Sequence, residues 1–314
     1  MRNIIVTGAS GFIGRTLVKR LQEKVGDAGT VIGVSSKDAD LVDRASVFSY
    51  FERLHWAFDC DHIFHLAALY KAGGWPVEHP GTQFHVNMGI NVNILEAWKR
   101  FFPKAKFVSA LSYCLYPPGD NAHPESELYG TEPEEYLFSY AFTKKALLIG
   151  QRAYQQEFGL TWASGVLPTV YGPGDSFAEN SHVMGALIGK FVRAHLQNLP
   201  QVEVWGDGNQ VREFIYIDDA ADALIGLPAS VSNQVFNVGT GRSETIRDIA
   251  ETIKEVVGYK GQIVYNPQKF TGVAKRLMDS SAITNATGWK SGTSLRDGIS
   301  QTASHYQNQL KTKS

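Results

Sequence analysis

The chain has 314 residues, 43% hydrophobic and 19% charged, enough to bury one large core or two smaller ones. A formal net charge of −1 gives no long-range field for nucleic acid or an anionic membrane, so an anionic substrate must be held by a local basic cluster. No stretch approaches the roughly 18–20 apolar residues that cross a bilayer, and Cys60 and Cys114 are the only cysteines, which excludes a disulfide framework and leads us to expect a reducing cytoplasm.

Asn3-Ile4-Ile5-Val6-Thr7 reads as the first strand, without a signal-peptide layout around it. Gly8, Gly11 and Gly14 follow in a G-x-x-G-x-x-G turn that contains Phe12 and Ile13, and a helix runs from Arg15 to about Val25. Glycine there lets the backbone turn tightly beside a pyrophosphate, and the helix start offers free N–H groups and a positive dipole end. Val31–Val34 reads as the second strand. Its end, Ser35-Ser36-Lys37, has no carboxylate before Asp38. Two hydroxyls and a lysine, with Arg15 in reach, suit the 2′-phosphate of NADPH rather than the free ribose of NADH. Asp40-Leu41 is expected to flank the adenine.

His62–Leu66 reads as the third strand and runs into Ala67-Ala68; Phe84–Phe101 is a long helix and Lys106–Ala110 a fourth strand. Tyr140 and Lys144 lie four residues apart in a run of helix formers, which stacks them on one face. An ammonium beside a phenol is expected to lower its pKa from about 10. Thr161–Leu167 is a further strand. Continuous apolar strands separated by helices imply a parallel sheet covered on both faces. The expected fold is therefore α/β, a Rossmann-type doubly wound sheet with a smaller α/β substrate-binding domain.

After Leu167 the alternation loosens. The expected division gives residues 1–170 and 214–240 to the NADP-binding domain and 171–213 and 241–314 mainly to the substrate. Asp219 is expected to N-cap a helix, with further helices over Thr245–Val257 and from Leu295 to about Leu310.

With these elements the chain resembles the extended short-chain dehydrogenase/reductases. The matching parts are Gly8/Gly11/Gly14, Asp40-Leu41, His65-Leu66-Ala67-Ala68, Asn87, Asn93, Ser112 and Tyr140/Lys144. The resemblance implies a Ser112–Tyr140–Lys144 triad, with Leu66, Ala67, Ala68, Leu167 and His182 near the cofactor. Within that family it is similar, nearly end to end, to the 3,5-epimerase/4-reductases of GDP-4-keto-6-deoxy-mannose. Ser112-Tyr113-Cys114-Leu115-Tyr116-Pro117, Asn180-Ser181-His182-Val183, Val204-Trp205-Gly206-Asp207-Gly208 and Arg212-Glu213-Phe214 carry that likeness.

Inverting C3 and C5 beside a ketone needs a base on one face and an acid on the other. If Ser112–Cys114 is extended, residues two apart point the same way. A thiol near 8.5 and an imidazole near 6.5 both move protons close to neutral pH. The resemblance makes Cys114 the base and His182 the acid; the residues alone leave the direction open. Reduction comes last, because it removes the ketone that acidifies C3–H and C5–H. The likeness also places Arg212 on the nucleotide diphosphate. Lys190, eight residues after His182 on a helix, falls on a similar side. Trp205 is a candidate to stack on the base, Lys275 and Arg276 add positive charge, and a homodimer is expected.

Thr169, Lys190, Thr271-Gly272 and the Lys71-Ala72-Gly73-Gly74-Trp75 loop depart from the usual pattern. These positions surround sugar and nucleotide, so another nucleotide-linked 4-keto sugar, such as a 6-deoxy-heptose, stays open. A 4,6-dehydratase is disfavoured, because Tyr113 and Cys114 stand where such enzymes carry an acidic pair. A non-catalytic NADPH-binding module would be expected to have a broken triad.

Overall fold

The structure is a computed structural model that describes residues 2–130, 132, 135–269 and 272–312; Thr271 lies outside them. Strand β1 (Asn3–Thr7) leads into α1 (Phe12–Val25), β2 (Thr30–Val34), α2 (Arg44–Ala57), β3 (His62–His65), a one-turn α3 (Trp75–Glu78), α4 (Pro80–Phe101) and β4 (Lys106–Ser112). Next come β5 (Ala122–His123), α5 (Phe138–Phe158), β6 (Trp162–Leu167), β7 (Thr169–Tyr171), α6 (Val183–Leu196), β8 (Gln201–Trp205), β9 (Val211–Arg212) and β10 (Phe214–Tyr216). The remaining elements are α7 (Ile217–Ser230), β11 (Gln234–Asn237), β12 (Glu244–Thr245), α8 (Ile246–Val257), β13 (Gln262–Asn266), β14 (Leu277–Met278), α9 (Ser281–Thr287) and α10 (Leu295–Lys311).

Six of these strands form a parallel sheet in the order β11-β6-β4-β3-β1-β2. Ile4–Val6, Ile63, Phe64, Phe107 and Val108 are fully or almost fully buried, as strands sandwiched between helices must be. One face packs Leu17 and Leu21 of α1 and Leu224 of α7; the other packs Phe51 of α2, Trp98 of α4 and Leu147 of α5. The strand order reverses beside β1. In an open parallel sheet, that reversal opens a crevice past the strands' carboxyl ends, where ligands bind. This is the doubly wound Rossmann-type fold expected from the sequence.

Outside the sheet, β8 pairs with β13, β7 with β10, β9 with β12 and β5 with β14. Phe191 of α6, Ile253 of α8 and Ile299 of α10 join the same hydrophobic cluster as β1 and α1. One core thus runs across the boundary expected between the two portions.

Two local expectations change. Helix α1 starts at Phe12, three residues before Arg15, with Gly11 as its N-cap. Asp219 does not cap its helix: the N-cap of α7 is Tyr216. Asp219 already sits in the first turn, and its carboxylate accepts from Ser291 Oγ and from the N–H groups of Gly292 and Thr293 at 2.9–3.2 Å.

Candidate active site

A cleft of about 570 Å³ opens at the carboxyl ends of the strands, running from the glycine turn to β8 and β9. Gly8, Gly11, Phe12, Ile13 and Gly14 form one end. Gly8 has φ +73°, and a Cβ there would lie 2.7 Å from the Ala67 nitrogen; a Cβ on Gly14 would lie 2.0 Å from the Gly8 carbonyl oxygen. Only glycine lets these three backbones meet. The N-cap of α1 has no side-chain acceptor and its first turn no acidic residue. Its leading N–H groups are left for an anion, which fits a dinucleotide pyrophosphate.

The other sequence candidates at this end separate. Leu66, Ala68 and Leu167 line the cleft; Ala67 instead supplies the backbone that crowds Gly8. Ser36 and Lys37 are exposed on the turn after β2, beyond the cleft wall. The Asp38 carboxylate is drawn into that turn by the N–H of Ser35 at 2.8 Å and its hydroxyl at 2.6 Å, which lowers its pKa. Asp40 accepts from Val42 N–H at 2.9 Å, and Leu41 is buried, its carbonyl held by Asn93 Nδ2 at 3.1 Å. Arg15 donates to the carbonyls of Ser10 and Gly174, so it braces the turn from outside.

The middle of the cleft holds Ser112, Cys114, Tyr140, Lys144 and His182 together. Helix α5 carries Tyr140 and Lys144 one turn apart, and Lys144 Nζ lies 5.7 Å from the phenol ring centre. Here burial reverses the expected effect on the phenol. Tyr140 is raised well above its ordinary value, by desolvation and then by Cys114 and Tyr70. Lys144 is brought down to about 8, also by burial. Tyr140 therefore rests as a protonated phenol, the state that gives a proton to an alkoxide.

The expected extended run through Cys114 is also replaced. β4 ends at Ser112, and Tyr113–Leu115 form a 3-10 turn in which Ser112 Oγ accepts from Cys114 N–H at 3.4 Å. Both side chains still line the cleft, brought together by a turn rather than by strand alternation. Burial pushes the Cys114 thiol up, opposed by the Ser112 hydrogen bond and by Arg276 and Lys144. Burial pushes His182 down, favouring its neutral form.

The far end carries the cations. Lys190 lines the cleft, pairs with Glu179 at 3.0 Å and lies 4.9 Å from the Trp205 ring centre. Arg212 also lines it, buried, and donates to the carbonyls of Val211, Val273 and Ala274. Arg276 is in the cleft, 5.1 Å from the Tyr113 ring. Lys275 is not: it pairs with Asp120 at 3.6 Å and lies off the lining. Two buried polar atoms of residues on this wall, Trp205 Nε1 and Gln210 Oε1, have no hydrogen-bond partner among the described residues, which leaves one donor and one acceptor unused beside the cleft.

Sequence reasoning missed Tyr70, Tyr113, Tyr136 and Gln210, all of which line the cleft. The usable signal was position: Tyr113 directly follows the carboxyl end of β4 and Tyr70 lies five residues past that of β3, where this fold binds ligands.

A family model described as the NAD dependent epimerase/dehydratase family matches residues 4–239. The chain is 35% identical over 309 residues to GDP-L-fucose synthase 1 of Arabidopsis thaliana, covering 96% of this chain and 92% of that one. Among solved structures it is similar to a GDP-6-OMe-4-keto-L-xylo-heptose reductase from C. jejuni, with TM-score 0.88, 26% identity and 98% of each chain covered. A GDP-mannoheptose C4 reductase from Campylobacter jejuni with NADP bound gives TM-score 0.85 and 28% identity over 97% of this chain and 98% of that one.

Proposed function

The chain belongs to the NAD dependent epimerase/dehydratase family, and within it we propose an NADPH-dependent 3,5-epimerase and 4-reductase that converts GDP-4-keto-6-deoxy-D-mannose to GDP-L-fucose. The observation that carries this reading is the meeting of Cys114 and His182 with Ser112, Tyr140 and Lys144 in one cleft. A plain reductase needs only the last three. A thiol and an imidazole beside them supply the base and acid that two α-carbon inversions require.

In this reading the Cys114 thiolate takes the proton from C3 or C5, the imidazolium form of His182 gives one to the opposite face, and both are reset by exchange with solvent before the second inversion. The 4-keto oxygen is hydrogen-bonded by Ser112 and Tyr140, which stabilises the enolate formed at each inversion. NADPH, when bound, supplies the hydride that reduces C4. Tyr140 gives its proton to the oxygen at C4, and Lys144 compensates the charge left on the phenol. Gly8, Gly11 and the start of α1 hold the cofactor's pyrophosphate, and Ser36 and Lys37 its 2′-phosphate. Lys190, Arg212 and Arg276 balance the nucleotide diphosphate, while Trp205 and Gln210 meet the base or ribose. Residues 1–170 and 214–240 then serve mainly the cofactor, and the rest mainly the sugar nucleotide.

We assign the homodimer to the outer faces of α4 and α5, where Phe84, Val92, Phe138, Phe142 and Ile149 are exposed. Two such helix pairs can bury one another about a two-fold axis, which sedimentation measures.

Incubation with GDP-4-keto-6-deoxy-mannose and NADPH in deuterated water tests the function. The expected product is GDP-L-fucose carrying deuterium at C3 and C5. A product reduced at C4 without solvent deuterium would leave a plain reductase. The Cys114→Ser variant should slow deuterium uptake far more than it slows reverse hydride transfer from GDP-L-fucose to NADP+, which needs no inversion.

A further inference from the structure

Tyr70 follows β3 by five residues and belongs to none of the motifs that mark the cofactor or substrate site. Its ring stands between two others. The centroid distance to Tyr140 is 4.7 Å, with the planes at 57°. To His182 it is 5.3 Å, with the planes at only 28°. The electrostatic neighbours of the Tyr70 phenol begin with Cys114 and include Tyr113, Tyr136 and Arg276. One aromatic side chain therefore borders the reductase phenol, the thiol and the imidazole at once.

His182 lacks the restraint that a working imidazole usually has. Such a histidine commonly bonds a carbonyl or carboxylate through one ring nitrogen, which fixes the ring plane for the other. His182 is the N-cap of α6, but its side chain makes no cap hydrogen bond. Its backbone carbonyl, not its ring, accepts from Ala186 at 2.9 Å. Among the described residues neither ring nitrogen has a hydrogen-bond partner. What lies flat against the ring is Tyr70.

Tyr70 is itself held from both sides. Asn87 clamps the preceding residue in peptide fashion, accepting from Leu69 N–H at 2.7 Å and donating to the Leu69 carbonyl at 3.1 Å. Beyond Tyr70, the Tyr136 hydroxyl donates to the Gly73 carbonyl. Gly73, at φ +73°, is pressed against the segment before His182: a Cβ there would lie 3.1 Å from the Asn180 carbonyl oxygen. The backbone that carries Tyr70 is thus held by α4, by the approach to α5 and by the loop that carries His182. Burial keeps its phenol protonated, so it does not compete for the proton that His182 handles.

We propose that Tyr70 is a positioning residue for the epimerisation: its ring face sets the plane of the His182 imidazole and leaves both nitrogens free for the sugar. The proposal rests on the reading of His182 as the acid of the inversions. Tyr70 exchanges no proton in it, so the ring matters and the hydroxyl does not.

The test compares Tyr70→Phe and Tyr70→Leu in the full-length protein, each first checked for NADPH binding. Solvent deuterium uptake at C3 and C5 is measured forward, and hydride transfer from GDP-L-fucose to NADP+ in reverse. Tyr70→Phe should keep deuterium uptake within a few-fold of wild type. Tyr70→Leu should lose it by about 100-fold, the cost of a misplaced reacting group, with a much smaller loss in reverse hydride transfer. Equal losses in both reactions, an unaffected Leu variant, or a Phe variant as impaired as Leu would each overturn the proposal. A wild-type protein without deuterium uptake would instead defeat the epimerase reading. The stack would then still be tested by the ring protons of His182, assigned with His182→Gln. Their resonances should be displaced by the Tyr70 ring current in wild type and Tyr70→Phe, and should relax in Tyr70→Leu; identical shifts in all three would overturn it.

Discussion

Lys144 Nζ donates to the carbonyl of Ala110 at 2.8 Å. Ala110 lies two residues before Ser112 on β4, so the bond sets the register of α5 against the strand that ends at the active-site serine. It also leaves a buried ammonium beside a phenol that burial keeps protonated. Tyr140→Phe removes that proton and leaves the lysine–carbonyl bond in place. The variant should bind NADPH normally and lose hydride transfer in both directions by about 10²–10⁴, the usual worth of a general acid. Steady-state rates beside NADPH titration check this, and near-normal turnover would take Tyr140 out of the mechanism.

The coenzyme preference should follow the turn after β2. The Asp38 carboxylate is turned onto Ser35, and Lys37 stands exposed beside it as the cation of that turn. Lys37→Glu should weaken NADPH by roughly 10-fold, the order of one charge-assisted hydrogen bond, and leave NADH nearly unchanged. Binding titrations of both coenzymes give the ratio. An unaltered ratio would move 2′-phosphate recognition elsewhere.

Inside α4, Asn91 is buried and joins three elements. Its Nδ2 donates to the Thr143 carbonyl at 2.9 Å, and its Oδ1 lies 3.4 Å from Nε2 of His65. That histidine also meets Thr7 Oγ1 at 2.7 Å, and burial brings it down to about 3, hence neutral. Asn91→Ala leaves the Thr143 carbonyl with only its helical N–H and strips the His65 imidazole nitrogen of its partner away from water. The expected loss is about 1–3 kcal/mol of stability, read from denaturant midpoints. Because Thr143 adjoins Lys144, reductase activity should fall as well, and an unchanged midpoint would show that water or repacking satisfies both groups.

These residues show how far the sequence could be read. Order and type of the strands were legible because β1, β3 and β4 are apolar runs and the glycine spacing fixes the first turn. Tyr140 and Lys144 were legible because helical spacing is local. The state of Tyr140 was not, since desolvation depends on what the whole fold packs around it. Nor was the turn at Cys114: Ser112 ends the strand by accepting its N–H, a choice between strand and turn that short sequences do not settle. Lys275 and Arg276 are neighbours in sequence and part in space, one on Asp120 and one in the cleft. Tyr70 was passed over because its partners, Tyr140 and His182, are distant in the chain.

Arg276 should set the pH at which the inversions run. Burial raises the Cys114 thiol, whereas Arg276 and Lys144 pull it down. The base is the thiolate, so deuterium uptake rises with pH through that ionisation. Removing a cation that favours the thiolate moves the rise to higher pH. Lys144 loses its own charge near 8, so its help fades above that pH while arginine's persists. Arg276→Gln should therefore slow uptake at neutral pH and shift the ascending limb upward by roughly one unit, the order expected for one nearby charge. Arg276→Lys should restore most of it. Reverse hydride transfer, which does not use the thiolate, should keep its pH profile in both variants. An unmoved limb for deuterium uptake in Arg276→Gln would mean that Cys114 is not the ionising base.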